Sequence, residues 1–378
     1  MPPASAALAP ARLEPRADFQ RRVVSVLGLP FDVIGLHDAV ERIRRDAFAD
    51  LRCFVSTPNL NFAMTALDDA AFRGSVLRSD LCLADGMPVV WVARLLGLPI
   101  RERVSGADVF EALVAHTGAP LPVYLFGGQP GAAARACERI NAHGGGLRCV
   151  GFDAAGFGPV ASMSGDEQIA RINDSGAKFV VVSLGARKGQ AWIEHNATRL
   201  RAPVLAHLGA VMNFAAGTVR RAPASMQALG LEWLWRVSEE PALWRRYGRD
   251  ALQAAGLVAT RVVPDALLAW RRGRGGDQPK RLDVLRAEHG TTLRLGGTWI
   301  DAELDALRTA LAQCSASDAP LTIDLAEVNE LGAEATGLLL VASGWFGARA
   351  GFRVAGIGPD VASALRRRLA FRVLSGSA

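Results

Sequence analysis

The sequence predicts an α/β protein with a Rossmann-like, doubly wound and mostly parallel sheet. Short apolar runs typical of strands alternate with segments of helical periodicity from residue 23 to residue 214. The run from 179 to 185 is apolar almost throughout, as expected for a strand buried on both faces of a parallel sheet. In such sheets ligands bind beyond the carboxyl ends of the strands, so polar residues placed directly after strands are site candidates.

The strands are predicted from runs of β-branched and aromatic residues that stop at Gly, Pro or polar residues. In chain order they are 23–27, 53–55, 81–84, 121–127, 148–152, 179–185 and 204–208. The helices are predicted from apolar residues three and four positions apart, such as Val40, Ile43 and Ala47 in the first helix. They are 37–49, 63–79, 88–96, 108–116, 132–141 and 168–174, with one more after 192.

A chain of 378 residues is long enough for two domains. We expect a disordered lead-in without a signal peptide (1–20), a Rossmann-like domain (21–219), a helical arm rich in Arg and Trp (220–270), a linker (271–284) and a small α/β domain (285–378). The last of these shows the order β-α-β-α-β-α. Its strands are predicted at 291–295, 321–325 and 352–357, and its helices at 300–313, 333–348 and 359–369.

The charge is concentrated in one segment. The net charge of +6 and the pI near 9.5 indicate an anionic partner, which could be a nucleotide, nucleic acid or an acidic membrane surface. Residues 201–281 carry 13 Lys and Arg against 6 Asp and Glu, and four of the eight Trp lie between 233 and 270. Helices with Trp and Arg suit a membrane interface, although a helical arm packed on the sheet with solvated arginines is the alternative. No uninterrupted apolar run approaches ~18 residues, so no membrane-spanning helix is expected.

Neither the cysteines nor the histidines predict a metal site. The five cysteines contain no C-x-x-C pair, and their odd number favours a reducing cytoplasm. The six histidines are dispersed without ligand spacing, so each is expected to be structural or on the surface.

Two groups of residues at predicted strand ends are site candidates. Thr57 and Asn59 follow one strand and Asp85 follows the next, although an Asp-Gly pair alone is also common in surface turns. A glycine turn, 127–131, follows a third strand and leads into a helix, which allows a backbone to approach a phosphate. Its spacing is not G-x-G-x-x-G, so a tight turn that binds nothing is an equal alternative.

The order of the motifs resembles the WecG/TagA/CpsF family of bacterial glycosyltransferases over residues 24–250. The resemblance rests on Thr57-x-Asn59, Ala84-Asp85-Gly86 and the Gly-x-Pro-x-x-Glu-Arg-Val-x-Gly-x-Asp block at 97–108. It also rests on the strand and Gly-Gly turn at 124–130, the Ala-Gly-x-x-x-Arg-Ala-Pro block at 216–223 and the Gly-Leu-Glu-Trp arm that begins at 230.

The resemblance implies inverting, metal-independent transfer of a sugar from a UDP-sugar to a polyprenyl-diphosphate-linked saccharide, without a cofactor, for a surface or exopolysaccharide. Donors typical of the family would be UDP-N-acetylmannosamine, its uronate or UDP-glucose. Asp85 matches the family's general base. The implied substrate contacts are Thr57, Asn59, Arg103, Gly127, Gly128, Gln129, Lys188, Gln190, Asn213, Arg221, Arg236 and Arg246. Arg103 could instead pair with Glu102 or Asp108.

The same resemblance implies an enzyme on the cytoplasmic face of the plasma membrane, peripherally bound through the arm at 220–270. The sequence departs from the family pattern at two places, and each departure removes a carboxylate. The family's Pro-Lys-Gln-Glu block is Arg187-Lys188-Gly189-Gln190 here, and its Phe-Asp-Phe is Met212-Asn213-Phe214. We therefore expect an altered sugar preference or weaker activity.

The C-terminal unit resembles the STAS domain of anti-sigma-factor antagonists and anion transporters, through Leu293-x-Leu-x-Gly and Ile323-Asp324-Leu325. Ala333 stands where those antagonists carry a phosphorylated serine, so we expect a docking module for a protein partner rather than a phosphoserine switch. Glu334 resembles a fixed negative charge there, or is an ordinary acid at a helix start. A nucleic-acid partner is not expected, and a homo-oligomer is left open.

Two other functions stay open at this point. One is another nucleotide-binding enzyme, such as a dehydrogenase that uses the 127–131 turn. The other is a non-catalytic regulator that acts through the STAS-like domain.

Overall fold

The computed structural model describes residues 17–376, except 155, 157, 210, 220, 224, 227–231, 240–243, 273–277 and 301–302, and except the side chains of 236, 237, 239, 246, 247 and 272. The strands are β1 (Val23–Val26), β2 (Leu29–Asp32), β3 (Cys53–Ser56), β4 (Leu81–Cys82), β5 (Leu121–Gly127), β6 (Leu147–Asp153), β7 (Phe179–Ser183), β8 (Val204–His207), β9 (Arg281–Ala287), β10 (Gly290–Trp299), β11 (Leu321–Leu331) and β12 (Phe352–Ala355).

The helices of the first part are α1 (Leu36–Phe48), α2 (Leu60–Asp68), α3 (Ala70–Leu77), α4 (Met87–Leu95), α5 (Gly106–Ala115), α6 (Ala132–His143), α7 (Asp166–Asp174), α8 (Ala186–Asn196) and α9 (Val211–Ala215). Those that follow are α10 (Glu232–Glu239), α11 (Trp244–Leu257), α12 (Val263–Arg272), α13 (Asp305–Cys314), α14 (Ala333–Gly347), α15 (Pro359–Arg367) and α16 (Phe371–Ser375).

The central sheet has six strands in the order β4-β3-β8-β7-β5-β6, and every pair is parallel. The predicted parallel α/β sheet is therefore confirmed. Alternate residues of each strand face opposite layers: Cys53 and Val55 pack with α1 and α5, whereas Phe54 packs with Trp192 and Ile193 of α8. Helices cover both faces, and all carboxyl ends of the strands meet at one edge, which we refer to as the carboxyl edge.

Two local predictions are corrected. The strand predicted at 23–27 is part of an antiparallel hairpin, β1–β2, outside the central sheet. Leu27 and Gly28 both have positive φ, +49° and +79°, as a two-residue hairpin turn requires. The helix predicted at 63–79 is divided into α2 and α3, because the Asp69 side chain accepts the Phe72 N–H at 2.9 Å and starts a new helix.

The C-terminal unit has a four-stranded sheet in the order β12-β11-β10-β9. Its three predicted strands are present, and β9 adds an antiparallel edge strand. The predicted linker, 271–284, therefore ends inside a strand, because β9 begins at Arg281. Helix α14 packs directly on the first unit. A Cβ at Gly337 would lie 2.9 Å from the carbonyl carbon of Val24, and Glu334 pairs with Arg22 at 2.7 Å. Glu334 therefore belongs to the contact between the two units.

The helical arm is anchored at two buried aspartates. Asp250 accepts a hydrogen bond from Asn61 at 2.8 Å, and Asp265 pairs with Arg367 and Arg368, each at 3.0 Å. A π-helical segment, Val258–Val262, joins α11 to α12, so that Gly248–Arg271 is one continuous helix. By length and composition this helix could cross a membrane, and 17% of its apolar 18-residue window is buried. Length and composition alone qualify this helix, so the expectation that no helix spans the membrane stays a prediction.

The cysteines form one bond that their spacing did not predict. Cys137 of α6 and Cys149 of β6 form a disulfide, while Cys53, Cys82 and Cys314 are buried thiols.

Candidate active site at the carboxyl edge

The loops after β3 and β4 are held against each other. The Leu83 N–H donates to the Ser56 carbonyl at 2.9 Å, and the Asp85 N–H donates to the Pro58 carbonyl at 3.1 Å. Thr57 is buried, whereas Asn59 and Asp85 are half-buried. The structure therefore brings Thr57, Asn59 and Asp85 together at one point of the carboxyl edge, although 26 residues separate Asn59 from Asp85 in the chain.

The Asp85-Gly86 pair is part of this contact and is not a surface turn. Gly86 has φ +118°, and a Cβ there would lie 3.8 Å from the Cβ of Asn59. The Asn59 side chain accepts the Phe62 N–H at 3.1 Å and so caps α2. Asn59 thus has a structural role at the same place where we expected a substrate contact.

A third segment, 103–106, lies beside these loops. The Val104 N–H donates to the Ala84 carbonyl at 2.9 Å, which puts Arg103 next to Asp85 in the fold. A Cβ built at Gly106 would lie 3.6 Å from Thr57 Cγ2. Ser105 and Asp108 form a capping box that starts α5, with the Asp108 N–H donating to Ser105 Oγ at 3.1 Å.

Two arginines beside this segment are paired with carboxylates. Arg103 donates to Asp108 at 3.0 Å and to Glu232 at the start of α10. Arg221 donates to Asp108 and Glu111. Burial opposes ionisation of Asp108, but hydrogen bonds from Ser105 and Arg221 and the nearby charges of both arginines lower its pKa.

The pairing of Arg103 with Asp108, one of the two alternatives foreseen, is therefore observed, whereas Glu102 accepts the Leu36 N–H at the start of α1, at 3.0 Å. Together, the ion pairs that Arg103 and Arg221 form with Asp108, Glu111 and Glu232 hold Arg221 and α10 against α5.

The glycine turn after β5 is shaped by close packing. Gly127 and Gly128 have φ +97° and +81°, and the Gly128 N–H donates to the Ser183 carbonyl at 2.8 Å. A Cβ at Gly127 would lie 2.6 Å from the Ser183 oxygen, and one at Gly128 would lie 2.9 Å from Met212 Cγ. Packing alone thus accounts for both glycines. Gly128 and Gln129 are nevertheless exposed at the carboxyl edge.

The start of α8 contains one residue that we remove from the candidate set. Lys188 is exposed in the first turn, but Gln190 is fully buried at 0% exposure. The Gln190 Nε2 donates to Ser56 Oγ at 2.7 Å, and its Oε1 accepts from Ser75 Oγ at 3.3 Å. Gln190 therefore joins α8, β3 and α3 and has no surface for a substrate, because position 190 faces the sheet.

His207, which the sequence analysis treated as structural, ends β8 at the same edge and is 4% exposed. Its Nε2 is 2.7 Å from the Leu184 carbonyl, and its Nδ1 has no hydrogen-bond partner among the described residues. Burial lowers the pKa of this imidazole. A Cβ at Gly189 would lie 2.0 Å from His207 Cδ2, so the ring occupies the space that a larger residue at 189 would need.

Three helices begin at the carboxyl edge with a glycine cap. They are α4 at Gly86, α6 at Gly131 and α8 at Gly185, and in the described part of the chain none has a side-chain cap. The first N–H groups of such helices are open to an anion, which the helix dipole also favours. This edge can therefore bind a phosphate group beside a carboxylate.

The remaining candidates are placed as follows. Asn213 is half-buried in α9, and Arg236 and Arg246 lie within α10 and α11, with side chains outside the described residues. No group of three or more His, Cys, Asp or Glu that could hold a metal ion is found among the residues that the structure describes.

Comparison with known proteins identifies the family. The chain matches the Glycosyl transferase WecG/TagA/CpsF family over residues 24–265. It is also 27% identical over 194 residues to the N-acetylglucosaminyldiphosphoundecaprenol N-acetyl-beta-D-mannosaminyltransferase of Bacillus spizizenii, covering 51% of this chain and 74% of that protein. The matched range contains the whole six-stranded sheet, the Pro58–Asp85 contact and most of the arm. The chain therefore belongs to the WecG/TagA/CpsF family and is a glycosyltransferase.

Proposed function

We propose that this enzyme transfers a sugar from a UDP-sugar to a polyprenyl-diphosphate-linked saccharide, with inversion and without a metal, and that Asp85 is the general base. The observation that carries the proposal is the contact between the loops after β3 and β4, where the Asp85 N–H donates to the Pro58 carbonyl at 3.1 Å. This contact holds one carboxylate next to Thr57 and Asn59 at a ligand-binding edge. The Bacillus spizizenii relative, by its name, acts on N-acetylglucosaminyldiphosphoundecaprenol.

Asp85 would accept the proton of the acceptor hydroxyl as that oxygen attacks the anomeric carbon of the donor. Such proton transfer typically contributes about 10²–10⁴-fold to a rate. Thr57 and Asn59 would position the acceptor or the sugar from the neighbouring strand end. Attack by this oxygen on the face opposite the UDP group would break the bond to UDP in the same step and invert the anomeric centre.

The departing diphosphate would bind where the helices begin. The starts of α6 and α8, the 127–129 turn and Lys188 supply N–H groups and a cation on the opposite side of β8 from Asp85. Strands β3 and β5 are three strand spacings of about 4.8 Å apart, which is a distance of about 14 Å. An extended nucleoside diphosphate could span this distance. Arg103 and Arg221, with Arg236, Arg246 and Asn213, complete the proposed substrate contacts. Because both described arginines are already paired with carboxylates, they would exchange a pairing oxygen for a phosphate oxygen on binding.

The arm would bring the enzyme to its lipid-linked acceptor at the inner face of the plasma membrane. Its anchored side packs on α2 and α15, and on its other side Trp244, Leu252 and Trp270 are 61%, 77% and 80% exposed. Large exposed apolar residues on a helix bury readily at a lipid interface, and tryptophan prefers headgroup depth. We retain the boundaries 21–219 for the transferase domain and 220–270 for this arm as part of the proposal.

We also propose that the unit at 285–378 is a STAS-like module that binds a protein partner. Its mixed sheet, with β10, β11 and β12 parallel and helices after β10, β11 and β12, supports this assignment.

The experiment is a UDP-release assay with purified enzyme, a polyprenyl-diphosphate-linked N-acetylglucosamine as acceptor, and UDP-N-acetylmannosamine, its uronate and UDP-glucose as separate donors. We expect UDP release with one donor that depends on the acceptor and continues in the presence of EDTA. An active enzyme that stops when EDTA is added would contradict metal independence. Absence of turnover with every donor, together with absence of UDP binding in calorimetry, would overturn the proposed donor class.

A further inference from the structure

A cavity of about 540 Å³ lies between the two units, at the opposite edge of the sheet from Asp85. One wall comes from the amino ends of β3 and β4, through Phe54 and Asp80, and from Arg52 just before β3. The facing wall comes from α14, through Val341 and Trp345, and from Arg349 just after α14. Its volume lies in the range of small-molecule sites, which occur preferentially at contacts between domains.

The arginines that line this cavity fall into two pairs. Arg21 and Arg78 are neutralised by carboxylates, Arg21 by Asp32 at 3.1 Å and Arg78 by Glu194 at 2.5 Å. Arg52 and Arg349 form no ion pair among the described residues, although the charge of Asp80, which also lines the cavity, acts on both guanidiniums. Two cations that face one cavity from opposite units, with no carboxylate in ion-pair contact among the described residues, provide a site for an anion.

Both of these arginines are held in position by groups that do not neutralise them. Arg52 donates to the backbone carbonyls of Ala197 and Ala202, the latter at 3.2 Å. Arg349 lies 3.4 Å above the centre of the Trp345 ring and donates to the Trp345 carbonyl at 3.2 Å. A guanidinium fixed in this way retains N–H groups for a carboxylate or phosphate at a reduced entropic cost.

The rest of the cavity is suited to a flat apolar group. Phe54, Leu77, Leu205 and Val341 line it, together with the half-buried Trp345 indole. An indole face with an adjacent guanidinium binds planar rings by stacking. The cavity combines this surface with the guanidinium groups of Arg52 and Arg349.

We propose that this cavity is a binding site for a small organic anion, in which a phosphate or carboxylate pairs with Arg52 and Arg349 and a flat ring packs against Trp345. The ligand is a nucleoside monophosphate or an aromatic carboxylate, which share this chemistry. Because Phe54 and Asp80 lie at the amino ends of β3 and β4, while Thr57 and Asp85 follow the carboxyl ends, the occupant does not compete with the sugar donor. The site is independent of the proposed sugar transfer.

The test is isothermal titration calorimetry of the full chain, with saturating UDP present, using AMP, indole-3-acetate and inorganic phosphate as separate probes. We expect saturable binding of AMP or of indole-3-acetate, and the one that binds identifies the source of the anion. Arg349→Glu should weaken that binding at least tenfold. Arg353→Glu, an exposed arginine of β12 outside the cavity, should leave it unchanged.

Trp345→Leu should weaken the binding of the ring-bearing probe. Its thermal unfolding midpoint should differ from that of wild type by no more than the midpoint of Arg353→Glu does. Three results would overturn the proposal: no saturable heat with either ring-bearing probe at millimolar concentration, equal binding by Arg349→Glu and wild type, or inorganic phosphate binding as tightly as the ring-bearing probe.

Discussion

The Asp85 N–H donates to the carbonyl of Pro58 at 3.1 Å, and this bond joins the loop after β4 to the loop after β3. Gly86 extends the contact to Asn59, because φ +118° lets the chain turn into α4 without a side chain in between. The proposed base is thus positioned by backbone atoms of the neighbouring loop, and changes to its side chain should leave the contact in place.

Asp85→Asn should therefore remove activity without unfolding the protein. The amide cannot accept the acceptor proton, so we expect turnover to fall by about 10²-fold or more. The measurement is acceptor-dependent UDP release beside a thermal unfolding curve. The matched control is Asp68→Asn, which changes an exposed carboxylate at the end of α2. This variant should retain the turnover and the thermal midpoint of wild type. Equal turnover by Asp85→Asn and wild type would exclude Asp85 as the base.

Substitutions of Asn59 should affect stability and sugar transfer separately. Its side chain caps α2 through the Phe62 N–H at 3.1 Å, so Asn59→Ala should lower the free energy of unfolding by about 1 kcal/mol. Asn59→Asp retains a capping oxygen and should be about as stable as wild type, yet it should transfer sugar more slowly because it loses the amide N–H groups that would position the acceptor or the sugar. Chemical denaturation and the UDP-release assay report the two effects separately. If Asn59→Asp were as active as wild type, the amide would have no role beyond the cap.

Asp80 should make stability depend on pH. Burial raises the pKa of this carboxyl to about 6, against an ordinary value of 3.8, even though it accepts the Phe54 N–H and has arginines nearby. Since the folded state binds this proton more tightly than the unfolded state, its contribution is most favourable below about pH 4. It is lost as the pH rises to about 6, at a cost of up to about 3 kcal/mol.

Asp80→Asn removes this titration. The difference in unfolding free energy between wild type and Asp80→Asn should therefore change between about pH 4 and pH 6 in favour of the variant, and should be constant above that range. Urea denaturation across this interval is the measurement. A difference that does not vary with pH would show that the carboxyl titrates alike in both states.

The exposed apolar side of the arm should determine membrane binding. Replacing Leu252 and Trp270 by Ser removes two side chains that are 77% and 80% exposed and contact solvent rather than the core. We expect binding to vesicles of phosphatidylcholine and phosphatidylglycerol, measured by co-sedimentation, to fall about tenfold or more, because lipid burial of each group is worth about 1.5–3 kcal/mol. Phe48→Ser, at an exposed residue of α1, is the control. Unchanged sedimentation of the double variant would place the membrane contact elsewhere.

The pattern of apolar and polar residues predicted most of the fold because it is a local signal. Strand β7 is apolar except for its last residue, Ser183, and is buried at every residue in the centre of the sheet. The hairpin β1–β2 and the break at Asp69 were missed, since a two-residue turn and one cap depend on a few atoms and hardly alter the apolar pattern.

The site was predicted in part for a similar reason. Thr57, Asn59 and Asp85 were found because residues that follow parallel strands necessarily meet at one edge. Gln190 was predicted to contact substrate but is buried against Ser56 and Ser75. Its position in a motif does not tell which side of α8 faces the sheet.

By itself the sequence determined the parallel α/β sheet, the strand ends that carry Asp85 and Thr57, and the family, because each depends on the order of residue types along the chain. Only the tertiary structure decided which charges are already paired. Arg103 and Arg221 meet Asp108 and Glu232 across a loop and a helix, whereas Arg52 and Arg349 face a shared cavity without a carboxylate partner among the described residues. Pairing depends on distances of a few ångströms between segments far apart in the chain, and the order of residues does not contain these distances.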